Sequence, residues 1–363
     1  MRIFLKPSPA QWPQLACRPV RSAEKIEAVV KPIMDKVRLC GDSALLEFSR
    51  EYDGVSLNNL KVSSTEIDQA SNNLSTELCD AIVLAKNNIE RFHLAQWAHP
   101  QIVETMPGVI CSRRSVPIEK VGIYVPGGSA PLFSTLLMLA VPAKLAGCKA
   151  IVICTPPQKD GTINAAILFV AKLLGCYSLF AIGGAQAIAA MAYGTETVPK
   201  VYKIFGPGNQ YVTAAKLLAT KEYVAIDLPA GPSEVAVLAD SSVPPAFIAA
   251  DLLAQAEHNP DSQVVLVTTE EPYAHLVHAA VTEQLAVLPR RDIAQASLQN
   301  SFAVVVDTRE QAMDFLNCYA PEHLILAVEN PQQLAEKVLN AGSVFMGPYS
   351  TEALGDYASG TNH

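Results

Sequence analysis

Apolar residues recur at helical spacing through the first quarter of the chain. Ser64 and Thr65 precede Glu66, an arrangement typical of the start of a helix. The pattern predicts a helical segment from Ser22 to about Gln96. Two apolar series carry this prediction: Ile26, Val29, Val30, Ile33, Met34 and Val37, and then Leu78, Ile82, Ala85 and Ile89.

The spacing of the apolar residues changes near Gly122, where we expect a domain boundary. Short β-branched runs then alternate with helical segments, which indicates parallel strands joined by helical crossovers. We expect an α/β fold with two mostly parallel sheets. Strands are predicted at 150–155, 178–182 and 201–205, each followed by a helix, and later at 264–268, 302–307, 324–328 and 343–345, with helices at 245–258, 274–284, 310–319 and 331–339.

Composition limits the classes of function. The chain has 363 residues, half of them apolar, which favours two domains. The net charge of -8, with scattered Lys and Arg, argues against nucleic acid as a partner. The apolar runs at 132–141 and 165–174 are too short or too interrupted to span a bilayer, so we expect no membrane segment. The N-terminus lacks the apolar core of a signal peptide, which favours the cytoplasm. Eight cysteines without a CxxC pair suggest reduced thiols.

Three glycine-rich turns follow predicted strands, at 127–129 (GGS), 183–186 (GGAQ) and 206–209 (GPGN). Such turns either close a tight strand-to-helix connection or let the backbone approach an anionic group. None has the GxGxxG spacing of common dinucleotide sites. Three in succession favour a nucleotide or phosphate edge over purely structural turns.

Two pairs of residues are candidates for chemistry. Gln255 and His258 are three residues apart in a predicted helix, so both side chains can point at one ligand, although a histidine at a helix end is more often a favourable charge. Glu322 and His323 stand at the head of a buried strand, which we expect to be the edge of the sheet that carries the active site. Burying this pair without partners would be unfavourable, which favours a catalytic role.

Asp356 lies in a glycine-flanked loop near the end of the chain, where an aspartate is usually a turn or capping residue. With Gln255 and His258 it would supply oxygen and nitrogen ligands suited to zinc, leaving a coordination position open for substrate. A metal beside two titratable groups suits polarisation of a substrate with proton removal.

The chain resembles the histidinol dehydrogenase family over its whole length. The resemblance extends to VGIYVPGGSAPLFST, AIGGAQAIAA and IFGPGNQYV and is most specific in four segments: IDLPAGPSEVAVLAD (226–240), AADLLAQAEH (249–258), YAPEHL (319–324) and GDYASGTNH (355–363). It implies two incomplete Rossmann-like domains, with an N-terminal segment at 1–22, a substrate and zinc domain at 23–122 and 234–363, and an inserted NAD-binding domain at 123–233.

The resemblance also implies a reaction and a set of roles. The family oxidises L-histidinol through the aldehyde to L-histidine with two NAD molecules, as a homodimer with one zinc per site. Glu322 would activate water and His323 would take the alcohol proton. The other matching positions are the zinc ligands Gln255, His258 and Asp356, the substrate contacts Ser233, Gln255, His258, His323, Asp356 and His363, and the NAD contacts Tyr124, Gln186 and Asn209.

The family's chain continues past the SGTNH segment into a stretch that crosses to the partner subunit. That stretch supplies a fourth zinc ligand, a histidine, and a glutamate that contacts substrate. We therefore expect a protein that ends at His363 to bind zinc weakly and to turn over poorly.

Two rival interpretations stay open at this point. One is an NAD-dependent alcohol or aldehyde dehydrogenase with a cysteine as covalent acyl acceptor, for which Cys111, Cys148 and Cys154 are the candidates, although none has an activating His or Lys beside it. The other is an inactive remnant that binds ligand without catalysis.

Overall fold

The computed structural model describes residues 1–18, 23–127, 132–228, 231 and 233–361, and for Ala23, Asp356 and Tyr357 it describes the backbone alone. The strands in chain order are β1 (Arg2–Leu5), β2 (Gln101–Met106), β3 (Val109–Arg113), β4 (Lys120–Tyr124), β5 (Ala150–Thr155), β6 (Leu179–Ala181), β7 (Lys203–Phe205), β8 (Ala225–Ile226), β9 (Glu234–Ala239), β10 (Gln263–Thr268), β11 (Phe302–Val305), β12 (His323–Ala327) and β13 (Ser343–Met346).

The α-helices connect and cover these strands. In chain order they are α1 (Trp12–Leu15), α2 (Ala23–Phe48), α3 (Ser64–Gln69), α4 (Thr76–Leu94), α5 (Phe133–Leu145), α6 (Ala165–Leu174), α7 (Gly184–Tyr193), α8 (Gln210–Thr220), α9 (Pro245–Ala256), α10 (Glu271–Val287), α11 (Arg291–Gln299), α12 (Arg309–Tyr319), α13 (Pro331–Ala335) and α14 (Glu352–Leu354). Among the helices that the structure describes, none is both long and apolar enough to cross a membrane.

The first compact unit comprises Met1–Arg21, Pro232–Asp356 and His363. Its six-stranded parallel sheet has the order β1-β11-β10-β9-β12-β13. Alternate residues of each strand point to opposite faces, so β9 packs Val235 and Val237 against α9, α10 and α11, and packs Ala236 and Leu238 against α12 and α13. Burial on both faces explains the continuous apolar runs in the sequence.

The second compact unit comprises Ser22–Gly231 and Tyr357–Asn362. Its parallel sheet has the order β6-β5-β4-β7-β8, which is the 3-2-1-4-5 arrangement of a Rossmann fold without its sixth strand. Helices α2, α7 and α8 cover one face, while α4, α5 and α6 cover the other. Strands β2 and β3 form a separate antiparallel hairpin.

The division into units differs from the one expected from the sequence, which grouped 23–122 with 234–363. In the structure α2 shares a core with α7 and α8, since Val30, Met34 and Val37 are buried in the same cluster as Ile188. The expected N-terminal segment also belongs to a sheet, because β1 pairs with β11. Apolar periodicity shows that a helix buries one face, but not which partner it buries it against.

The α/β class and both parallel sheets are confirmed. Several predicted helices differ from the observed ones at their ends. The predicted helix at 245–258 ends at Ala256, so His258 lies in the following turn. The helix cap predicted at Ser64 or Thr65 is Ser63, whose hydroxyl accepts from the Glu66 backbone N–H while the Glu66 carboxylate accepts from the Ser63 N–H. Helix α11 was not predicted.

Helix α9 carries a buried carboxylate one turn before Gln255. Asp251 is 8 % exposed, and burial raises the pKa of its carboxyl to about 7. Since the folded state holds this proton more tightly than the unfolded chain, the folded protein loses stability as the pH rises from about 4 to about 7, and the penalty is fully present above that range.

We therefore expect Asp251→Asn to stabilise this unit at pH 8, by at most about 4 kcal/mol, and to have little effect at pH 5, where the carboxyl is already protonated. Denaturant unfolding at both pH values measures the difference. Asp314→Asn, at an exposed position of α12, is the matched control and should be neutral at both. A destabilised Asp251→Asn protein at pH 8 would contradict the prediction.

Candidate active site and nucleotide pocket

The candidate catalytic residues lie at the amino edge of the sheet in the first unit. Ser233 immediately precedes β9, and Glu322 immediately precedes β12, which begins at His323. Because β9 and β12 are parallel neighbours, with His323 opposite Val235, these three residues come to the same edge. The expectation that they occupy the usual ligand edge of a doubly wound sheet was wrong, since that edge is the carboxyl one.

Helix α9 explains how Gln255 reaches the same edge. The crossover from β9 to its parallel neighbour β10 runs back along the sheet, so the helix ends where the strands begin. Gln255 lies in the last turn of α9 and is fully buried, and His258 lies exposed in the turn that follows. The amino edge thus collects residues from three separate parts of the sequence.

His323 is held by contacts to one ring nitrogen. Nδ1 lies 3.1 Å from the backbone oxygen of Glu234. Carboxylate oxygens of Glu322 and Glu352 each lie 3.9 Å from the same nitrogen. The side chain is only 3 % exposed and its ring lies against Phe345. The imidazole is therefore fixed in orientation and surrounded by negative charge.

Glu234 and Glu322 fix the starts of the two strands by reciprocal hydrogen bonds. The Glu322 backbone N–H donates to Glu234 Oε1 at 3.2 Å, and the Glu234 N–H donates to Glu322 Oε2 at 3.4 Å. Arg18 donates to both carboxylate oxygens of Glu234 at 2.7 Å and lies 4.0 Å from the centre of the Tyr319 ring. Such bidentate pairing is geometrically specific, so it orients Glu234.

Glu352 is a functional candidate that the sequence analysis missed. With the Gln255 amide nitrogen turned toward Glu352, it donates to both carboxylate oxygens at 2.5 Å. Glu352 is 6 % exposed and therefore joins Gln255 to His323 in one buried cluster. The sequence around it looks like an ordinary helix start, since Thr351 caps α14. Nothing local distinguishes its carboxylate from that of a capping residue.

The remaining candidates of this site are only partly placed. Asp356 lies in the helical turn Gly355–Ser359, and its side chain, like the whole of His363, is outside the described residues. Among the described side chains, no group of three or more His, Cys, Asp and Glu is arranged to hold a metal ion. The structure therefore brings together Gln255, Glu322, His323 and Glu352.

The second unit contains a cavity of about 740 Å³, lined by the three predicted NAD contacts, Tyr124, Gln186 and Asn209. This volume is typical of pockets for small molecules and cofactors. All three residues lie at the carboxyl edge of the sheet, where β4 ends and where α7 and α8 begin. The glycine-rich turns after β6 and β7 lie at this same edge.

The polar groups of this cavity are positioned by the backbone. The Gly184 N–H donates to the Tyr124 hydroxyl at 3.0 Å, and burial raises the pKa of Tyr124 to about 12. Tyr124 therefore stays protonated near neutral pH, and its hydroxyl can donate a hydrogen bond. Asn209 caps α8, because its side-chain oxygen accepts from the backbone N–H groups of Tyr211 and Val212.

A buried lysine supports the turn between β7 and α8. Lys216 pairs with Asp227 and donates to the Gly206 oxygen at 2.9 Å, while the Gly206 N–H donates to Asp227 at 2.8 Å. Gly206 has φ of 124°, and the Tyr124 backbone occupies the space that a Cβ would need. Only glycine suits this position. Nothing in the sequence pattern distinguishes Lys216 from a residue on a helix surface.

Two of the three candidate cysteines, Cys148 and Cys154, lie in surroundings that do not favour an activated nucleophile. Cys154 is fully buried and Cys148 is half-buried, and burial raises the pKa of both thiols. Cys111 is exposed in the β2–β3 hairpin. A covalent mechanism needs a thiolate, which these surroundings disfavour at Cys148 and Cys154.

Comparison with known proteins gives a consistent result. The family model described as histidinol dehydrogenase matches residues 16–363. The chain is similar to histidinol dehydrogenase from Bacteroides thetaiotaomicron, at 57 % identity over all of this chain and 85 % of that protein. It is also similar to the Escherichia coli O157:H7 enzyme of the same name, at 52 % identity over 97 % of this chain and 81 % of that protein.

A solved structure agrees with these sequence relatives. The crystal structure of histidinol dehydrogenase from Elizabethkingia anophelis superimposes with a TM-score of 0.97 at 51 % identity, covering all of this chain and 84 % of that one. The fold, the family model and the relatives point to one conclusion: the chain belongs to the histidinol dehydrogenase family.

Proposed function

We propose that the protein oxidises L-histidinol to L-histidine through L-histidinal, with two hydride transfers to two NAD molecules, as the last step of histidine biosynthesis. Family membership makes it an oxidoreductase of this pathway. The observation that carries the residue-level proposal is the cluster of buried Gln255, His323 and Glu352 with the partly exposed Glu322. It combines a fixed imidazole with carboxylates, which is what two successive proton removals require.

His323 is the proposed base for the alcohol proton. With its Nδ1 proton donated to the Glu234 oxygen, the neutral ring carries its lone pair on Nε2. With NAD bound, the hydroxyl proton of histidinol would pass to Nε2 as hydride leaves the carbon that bears this hydroxyl for the nicotinamide ring. The carboxylates of Glu322 and Glu352, 3.9 Å from Nδ1, favour the imidazolium that forms.

Glu322 is the proposed base for the second oxidation. It would take a proton from the water that adds to the aldehyde, giving the hydrate as its oxyanion. With a second NAD bound, this hydrate would lose the hydride on the same carbon and become the carboxylic acid. The Glu234 N–H holds one Glu322 oxygen at 3.4 Å, and the side chain is 36 % exposed, so it is both oriented and accessible to water. Ser233, beside it at the start of β9, is a proposed substrate contact.

Zinc is the proposed metal, with Gln255, His258 and Asp356 as ligands. The donor set fits, since Glu352 binds the Gln255 amide nitrogen and leaves the amide oxygen facing away from that carboxylate. When bound, zinc would supply a Lewis-acidic centre that orients the substrate. Gln255, His258, His323, Asp356 and His363 are proposed to contact histidinol.

NAD is proposed to bind in the cavity of the second unit. Tyr124 can donate a hydrogen bond there, and the glycine turns let the backbone come close to a pyrophosphate at the starts of α7 and α8. Gln186, 2 % exposed, adds a buried amide. These groups support dinucleotide binding without a GxGxxG turn.

A homodimer is proposed because the β2–β3 hairpin is exposed along its whole length. Two-stranded hairpins are marginally stable alone in water. Ile102 and Ile110, 72 % and 70 % exposed, lie on the same face of the hairpin and would be buried by a second copy of the chain.

The eight cysteines are free, which suits the reducing cytoplasm that we propose as the location of the protein.

The first prediction about the proposed function concerns Glu322. We expect wild-type protein to form two NADH per histidinol. Glu322→Gln should lower the rate of histidinal oxidation by about 10²–10⁴-fold, because the amide cannot accept the water proton, and should affect the alcohol step less. Stopped-flow NADH absorbance with each substrate measures both steps. Glu329→Gln, at an exposed site just past the other end of β12, should match wild type. Unchanged histidinal oxidation in Glu322→Gln would refute the role.

The second concerns Glu352, which we expect to orient the Gln255 amide. Glu352→Gln should weaken zinc binding about 10–100-fold, the usual effect of removing a partner behind a metal ligand. Competition with a chromogenic chelator measures the affinity without any assay of turnover. The exposed Glu336→Gln serves as control. Equal zinc affinities in the two variants would show that Glu352 does not position Gln255.

The third concerns the hairpin. Replacing Ile102 and Ile110 together by Asp should convert the dimer to a monomer, because two charges would be buried in the interface. Sedimentation velocity measures the mass. Leu39→Asp, another exposed apolar residue of the same unit, should leave the dimer intact. A wild-type monomer, or a double variant that stays dimeric, would count against this interface.

A further inference from the structure

The cavity of the second unit lacks an acidic residue at the place where dinucleotide folds usually have one. In a Rossmann fold an acid following the first glycine turn by about 20 residues binds the 2′-hydroxyl of the adenosine ribose. The strand order makes β4 the first strand and β5 the second. Yet β5 ends at Thr155 and continues into Pro156 and Pro157, so no carboxylate follows it directly.

A carboxylate reaches this position from a different part of the chain. Asp53 ends the helical turn Ser49–Asp53 that follows α2, and it lines the cavity together with Thr155 and Pro156. A Cβ built on Gly183 would lie 2.6 Å from Pro156 Cβ and 3.3 Å from Asp53 Oδ1. The Asp53 carboxylate and the segment after β5 therefore meet at one point beside the Gly183 turn.

The electrostatic surroundings of Asp53 are those of a ligand-binding acid. Its Oδ2 is buried and has no hydrogen-bond partner among the described residues. Burial raises the pKa of its carboxyl to about 6, so it is charged above that pH. Buried polar atoms are nearly always hydrogen-bonded in proteins, which indicates that a bound molecule supplies the donor.

The described residues that line the cavity include no Lys or Arg, and Asp53 is the only acidic one. A ribose hydroxyl can donate to a carboxylate, whereas a phosphate at the same carbon would be repelled by it and would meet no Lys or Arg among the described lining residues. The charge pattern therefore favours NAD over NADP.

We propose that Asp53 is the specificity-determining residue of the dinucleotide pocket, accepting a hydrogen bond from the 2′-hydroxyl of the adenosine ribose and excluding a 2′-phosphate. The inference rests on the proposed binding of NAD in this cavity. In other dinucleotide-binding sheets an acid after the second strand makes this hydrogen bond, whereas here the turn after α2 supplies the acid.

The test measures binding of NAD and NADP to the wild-type protein and to Asp53→Asn by calorimetry at pH 8, where Asp53 is ionised. Wild type should bind NAD much more tightly than NADP. Asp53→Asn should weaken NAD binding about tenfold and lower the NAD-to-NADP affinity ratio by at least tenfold, because a charge-assisted hydrogen bond and a repulsion are both lost. Asp80→Asn, an exposed position on α4, should change neither affinity.

A second measurement on the wild-type protein does not depend on the folding of a variant. The NAD analogue that lacks the adenosine 2′-hydroxyl should bind about tenfold more weakly than NAD. An unchanged affinity ratio in Asp53→Asn, or equal binding of NAD and this analogue, would overturn the role of Asp53 while leaving the pocket assigned to NAD. Wild-type protein that binds neither dinucleotide would overturn both.

Discussion

The parallel pairing of β12 with β9 is the constraint on which the arrangement of the candidate catalytic residues depends. It sets His323 opposite Val235 and so brings Glu322 next to Glu234, which is 88 positions away in the sequence. The reciprocal hydrogen bonds between these two glutamates then fix the backbone at both strand starts, and Arg18 neutralises one of the two charges. A shift of one residue in this register would turn His323 to the opposite face of the sheet and separate it from Glu352.

The two sheets place their polar residues at opposite strand ends, for a reason that lies in their connections. In the second unit the candidate residues follow the strands, at the carboxyl edge where the glycine-rich turns after β6 and β7 lie. In the first unit they precede the strands, because the candidate metal ligand Gln255 arrives at the end of a crossover helix. The order of motifs along the chain does not show at which end of the strands the candidate residues lie. The direction of α9 relative to β9 shows it.

Local signals in the sequence predicted much of this structure. The strand at 150–155 was predicted with its observed ends, and the glycine-rich turns after β6 and β7 lie at the edge on which Tyr124, Gln186 and Asn209 meet. What could not be predicted depends on contacts between distant segments. Glu352 looks like a residue of a helix start, and Asp53 looks like an exposed acid in a polar turn. The core to which α2 belongs is likewise set by the partners it packs against, not by its own periodicity.

Buried carboxylates are energetically unfavourable unless something offsets their desolvation, and this protein has several. Glu234 has Arg18, and Glu352 has the amide of Gln255 and the imidazole of His323 nearby. For these two carboxylates the partners belong to the fold itself. Asp53 differs, since no partner for its Oδ2 lies among the described residues. Without a ligand, the desolvation of the Asp53 carboxylate is unfavourable. A hydrogen-bond donor on the proposed ligand would offset this cost, so the burial that destabilises the fold would strengthen binding.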